Sequence, residues 1–184
     1  MIVSRKGFYF NVPPGDRQLW AIGMVVVQWS ALENLLTGVA NGILANDENA
    51  RKIYEETRVT KLRLDMLHTH VDQRVVDPAR ERLIGIIGRA KEMQAERDKI
   101  VHGAWTAPFE DEPEHASAFS FGGARRPFEW KLTFGRLVEI ARKIDKLQAD
   151  LLQIIMSFKP KDEPGGFAMR SALQQTLHEQ YRLG

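Results

Sequence analysis

Apolar residues recur at helical spacing over three long stretches of the chain. From about Arg17 to Ala45 they form a wide face: Trp20, Met24, Val27, Ala31, Leu35, Leu36, Val39 and Ile43. The polar stripe, Ser30, Asn34, Thr37 and Asn41, is narrow. So broad an apolar face predicts a helix that is central, or buried on two sides. Pro13-Pro14-Gly15-Asp16 supplies a start signal and Asn46-Asp47 a stop. The second stretch, Pro78 to His102, carries Leu83, Ile86, Ile87, Ala90, Met93 and Val101 on one face. Here Asp77 is expected as N-cap, Pro78 as first helical residue and Gly103 as terminator. The third, about Phe134 to Phe158, carries Leu137, Ile140, Ala141, Ile144, Leu147, Leu151, Ile154 and Ile155. Shorter helices are expected over Glu48 to Glu56 and Thr60 to Val75, the latter with Leu62, Met66, Val71 and Val75 between charges.

Between the second and third stretches the pattern changes. Pro108, Pro113 and Pro127, the acidic run Glu110-Asp111-Glu112 and Gly122-Gly123 exclude a continuous helix. Ala118 to Phe121 and Phe128 to Thr133 alternate apolar and polar residues, which suits a small β-hairpin closed across 122–127. After Lys159-Pro160 a tail holds Pro164-Gly165-Gly166 and room for a short helix, Ala168 to Gln180. The expected architecture is therefore mainly all-α. Residues 1–160 form one bundle of four or more helices, with an insertion at about 104–133 and a tail from 161 to 184.

Composition narrows the chemistry more than the fold. The 184 residues hold no cysteine, which excludes disulfides, thiolate metal sites and a cysteine nucleophile. A formal charge of +2 is too small to argue for nucleic acid, so any basic surface must come from local clustering. The apolar piece Gly7 to Phe10 is short for a signal-peptide core, and the run Ala21 to Val27 falls short of the roughly 20 apolar residues of a membrane span. A cytoplasmic protein without membrane contact is expected.

The informative segment is Glu96-Arg97-Asp98-Lys99-Ile100-Val101-His102-Gly103. On a helical wheel Arg97 falls among Ile86, Ala90, Met93 and Val101, where a guanidinium is costly unless it meets a carboxylate, a phosphate or a cleft. Arg97 and His102, five residues apart, point about 140° from one another and lie about 7.5 Å apart along the axis. A fraying last turn, or a second copy across a two-fold axis, could bring both groups to one cleft. The plainer alternative makes Arg97 a buried cation paired with Glu33, and His102 a C-terminal histidine favoured by the helix dipole.

Arg, a polar residue, three variable residues and His near the end of an amphipathic helix resemble the signature of HEPN domains; Arg97, Asp98 and His102 occupy its three positions. Trp29-Ser30-Ala31-Leu32-Glu33 loosely resembles the superfamily's N-terminal helix. The resemblance implies a metal-independent endoribonuclease acting on single-stranded RNA as a homodimer, with no cofactor, and in some members an antitoxin-type protein partner. It also allows a non-catalytic interaction or nucleotide-binding module. Arg97 would clamp a phosphate, His102 would move a proton, and Asp98 would orient one of them. One toxin-like subset has a Tyr two residues after the His; here Ala104 stands there, followed by Trp105.

Three other groups of residues also carry candidate chemistry. Arg125, Arg126, Trp130 and Lys131 could offer charge and stacking surface to single-stranded RNA, or simply form a solvated hairpin tip. Asp65, His68 and Asp72, with His70 nearby, have the spacing of a cation stripe, but a charged solvated face is the commoner use and no metal site is expected. Glu112-Pro113-Glu114-His115 spells a di-iron motif in a proline-containing loop, where that chemistry has no helix to stand on.

Overall fold

The computed structural model describes residues 15–105, 115–120 and 128–157. The described chain is mainly helical: α1 (Asp16–Ile43), α2 (Glu48–Glu56), α3 (Thr60–Arg74), α4 (Ala79–His102) and α5 (Phe134–Ser157). Three short strands, β1 (Ala104–Trp105), β2 (His115–Ser120) and β3 (Phe128–Thr133), separate α4 from α5. The tail and its expected helix, Ala168 to Gln180, lie outside the described residues, as do Arg125 and Arg126.

α1, α4 and α5 enclose the core. Trp29, Leu32, Leu83, Ile86, Ile87, Ile100, Leu137, Ile140 and Leu151 are all at most 1% exposed. Each buried Leu or Ile of this kind contributes about 2 kcal/mol through removal from water. Arg17 lies over the Phe134 ring and Gln148 Nε2 donates to the Gln28 carbonyl, so α1 and α5 run parallel. Glu96 pairs with Arg136 and Arg89 with Asp150, so α4 runs antiparallel to α5. The starts of α1 and α5 and the end of α4 therefore share one end of the bundle.

α1 is covered unevenly along its length. Over its first half the buried positions are Gln18, Ala21, Val25, Trp29 and Leu32, whereas Trp20 and Val27 are 58% and 60% exposed; over its last turns Leu35, Leu36, Gly38, Val39, Ala40 and Gly42 are all buried, as expected of a central helix. In the first half the apolar arc is wider than the surface its neighbours cover, so the rim faces out there. By length and composition α1 could also cross a membrane, with a mean hydropathy of 1.4 over 18 residues. On α3, Leu64, Leu67 and Val71 are buried while Leu62 is half exposed, a shift of the expected face.

At the start of α4, Pro78 takes the cap position and Ala79 the first helical one. Asp77 does not cap; its carboxylate accepts from Arg80 Nη2 at 2.8 Å instead. The expected capping chemistry operates at α2, where Asp47 accepts from the Ala50 N–H at 3.0 Å. The hairpin is one strand larger than expected: β1 joins β2 antiparallel, Trp105 opposite Ala118, and β2 pairs with β3, Ala118 opposite Trp130. β1 follows α4 directly through Gly103, so the end of α4 is fastened to the sheet.

Candidate functional site

The residues of interest occupy the last two turns of α4. This stretch stays a regular α-helix to its end: the Gly103 N–H donates to the Lys99 carbonyl at 3.0 Å. The last turn does not fray. Arg97 and His102 therefore keep the divergent directions of an ideal helix. Within one chain, the helix does not turn them onto one cleft.

Each of the two has a distinct setting. Arg97 is half-buried, its side chain 21% exposed. Its Nη1 donates to Asp98 Oδ1 at 3.0 Å, while its Nε is buried without a hydrogen-bond partner. Asp98 is held in turn by Gln94 Nε2, which donates to Oδ2 at 3.1 Å. Glu33, the carboxylate expected opposite Arg97, accepts instead from Thr60 Oγ1 at 2.9 Å, because α3 crosses α1 there. His102 is exposed on the final turn.

Glu96 and Arg136 complete this end of the bundle, and sequence reasoning missed both. Glu96 is three-quarters buried; its Oε1 accepts from Arg136 Nη2 at 2.9 Å, and its Oε2 is buried without a partner. Arg136 also donates to Glu139 at 2.9 Å. These bonds, with Glu139 first, raise the Arg136 pKa further; Lys143 and then Arg136 lower that of Glu139. The pair spans 40 residues of sequence, so no local spacing announces it. Thr133 Oγ1 accepts from the Arg136 N–H at 3.1 Å and so fixes the first turn of α5.

The sheet lines the same end. Trp105 Nε1 donates to the Ile100 carbonyl at 2.9 Å, and the Lys99 ammonium lies 5.2 Å from the centre of the half-buried Trp130 ring. Lys131, next in β3, is exposed. Arg97, Asp98, His102, Trp130 and Lys131 thus share one end of the molecule.

Elsewhere, the acidic stripe of α3 is engaged by cations: Asp65 with Lys91 at 2.7 Å, and Asp72 with Arg80 at 3.9 Å. Among the described residues no group of three or more His, Asp or Glu side chains could hold a metal ion. The groove of about 350 Å³ between α4 and α5 is lined by Arg82, Gly85, Arg89 and Asp150 and excludes the motif residues. Compared with family models, with curated proteins and with solved structures, the chain matches none.

Proposed function

We propose that the protein is a metal-independent endoribonuclease of HEPN type, cleaving single-stranded RNA through Arg97 and His102. The observation that carries this reading is the end of α4: a half-buried guanidinium oriented by Asp98, with an exposed imidazole on the next turn. With Nη1 held by Asp98, the planar guanidinium would offer a further N–H to a phosphate oxygen. Arg97 would stabilise the negative charge that builds on the phosphorane oxygens as a ribose 2′-oxygen attacks the phosphorus. His102 would take the 2′-OH proton or return one to the departing 5′-oxygen, leaving a 2′,3′-cyclic phosphate and a 5′-OH end. Trp130, Lys131, Arg125 and Arg126 are the proposed contacts to the flanking strand.

Because α4 keeps the two groups about 140° apart, the proposed cleft takes Arg97 from one copy and His102 from another. An antitoxin-type partner would act by covering this end. The second reading, a non-catalytic interaction module, rests on the same divergence: without a second copy at α4 the two groups serve no common substrate.

Incubation of purified protein with unstructured RNA in EDTA tests the proposal. Cleavage is expected, and His102→Ala should abolish it with circular dichroism unchanged, since His102 is exposed and contributes little to packing. A wild type silent on RNAs of varied sequence, or His102→Ala cleaving equally well, overturns it.

A further inference from the structure

The outer face of α1 carries a seam that the described fold leaves largely open, although the Trp20 ring meets that of Phe134 with 6.2 Å between centroids. Asp16, Trp20, Gly23, Val27, Ser30 and Asn34 are all exposed. Their spacing alternates four and three residues. That is the 3.5-residue repeat of a coiled-coil seam rather than the 3.6 repeat of a surface facing a globular core. Trp20 and Val27 are the large members, more than half exposed, with Leu19 beside them at 37%. A Cβ placed on Gly23 would meet nothing within 4 Å. Residues 18–32 contain no charged side chain.

The seam is symmetric about position 25, and its sizes complement one another under that symmetry. Reversing the helix sets Trp20 against Ser30, Gly23 against Val27 and Asp16 against Asn34. Large residues then meet small ones in every central layer. An in-register parallel pairing would instead stack Trp20 on Trp20 and leave Gly23 facing Gly23. A lipid surface is a poorer fit, since interfacial helices present an unbroken run of large apolar residues bordered by Lys and Arg. Here the seam itself contains Asp16, Ser30 and Asn34.

We infer that two copies of this chain associate antiparallel through the α1 seam, about a two-fold axis opposite position 25. Each layer joins one core position of the seam to the other type on the partner, the knob-and-hole relation of antiparallel helices. Gly23 lets the backbones approach, and Val27 of the other copy fills the space. The contact goes beyond the ribonuclease reading and stands without it. Antiparallel α1 helices carry the two α4 ends to opposite ends of the seam. A cleft between α4 ends is therefore a second contact, which would join seam dimers into larger assemblies.

Sedimentation velocity over a concentration series, with chemical cross-linking, tests this. Wild type is expected to self-associate, and Val27→Lys to weaken association by about tenfold or more while keeping its circular dichroism, because Val27 supports no core contact. His102→Ala should leave seam association unchanged, which separates this contact from the catalytic proposal. The native chain lacks cysteine, so single cysteines report register cleanly. A mixture of Trp20→Cys and Ser30→Cys should be joined by a short bis-maleimide. Trp20→Cys alone should not, because its two copies would lie about 15 Å apart along the seam. A wild type monomeric at every concentration overturns the inference. So does Trp20→Cys linking to itself as efficiently as to Ser30→Cys, or a monomer that binds phosphatidylglycerol vesicles through Val27.

Discussion

Arg97 donates to Asp98, its neighbour on α4, and Asp98 is held in turn by Gln94. Replacing Arg97 by Lys keeps the charge and most of the stem but removes the planar donor set. If the proposed chemistry holds, Arg97→Lys should lower the cleavage rate about a hundredfold or more, with an unchanged melting temperature. Equal rates would reduce Arg97 to a structural cation. The placement of Arg97, Asp98 and His102 on the last turns of α4 was legible in the sequence because helical spacing is a local property. Glu96 and Arg136 were not, because their pairing depends on how α4 and α5 dock. Nor was the setting of His70. Its Nδ1 is buried without a partner, and burial, then the Arg74 guanidinium, hold its pKa below the ordinary 6.5 against the pull of Asp47. The unfolded chain therefore takes up a proton where the folded one does not, so stability is lost as pH falls below about 6.5. Asp47 titrates below its ordinary 3.8, chiefly through its bond with Arg74, and stays charged across that window. The melting temperature should be lower at about pH 5.5 than at about pH 7.5, and His70→Gln should flatten that slope. An unchanged slope in the variant would remove His70 from the account.

At the level of elements, the join between α4 and β1 fixes where the candidate site points. Gly103 accepts the close approach of β2: an added Cβ would sit 2.6 Å from the Lys99 carbonyl and 2.9 Å from the Ala118 Cβ. Ala118 is fully buried and cannot give way freely. Gly103→Ala should therefore destabilise the fold by about 1–3 kcal/mol in urea denaturation, through overpacking rather than backbone strain. No measurable loss would mean that the sheet moves easily against α4. The sequence marked Gly103 as a helix stop, and the helix does stop there; why glycine is needed came from tertiary contact. The same division explains the errors elsewhere. Helical spacing located α1, α4 and α5 because each buries a periodic face, whereas α2 buries only Tyr54 and the buried face of α3 is shifted from the expected one. The start of α4 was misplaced because Asp77 had two uses, a cap or a partner for Arg80, and sequence does not rank them. β1 was missed because two residues are too few for a pattern, and only pairing with β2 makes them a strand.

At the scale of the whole molecule, the proposed activity depends on whether catalytic groups come from one chain or from two. α4 remains regular to His102, so a single copy offers Arg97 and His102 on divergent faces. If the working site joins Arg97 of one copy to His102 of another, Arg97→Lys and His102→Ala are each inactive alone but complementary when mixed. A mixed dimer then holds one site with both native groups and one with neither. With free exchange at equal amounts, half the dimers are mixed and half their sites are intact, so roughly a quarter of wild-type activity should return. Should cleavage need only residues of one chain, every mixture would remain inactive, although the wild type still cleaved RNA. The measurement also separates the two proposed contacts. Val27→Lys placed in both variants weakens the α1 seam, and recovery should persist because the seam does not bring α4 ends together. Recovery that disappears with Val27→Lys would mean that the seam itself builds the site, contrary to the antiparallel arrangement inferred for it.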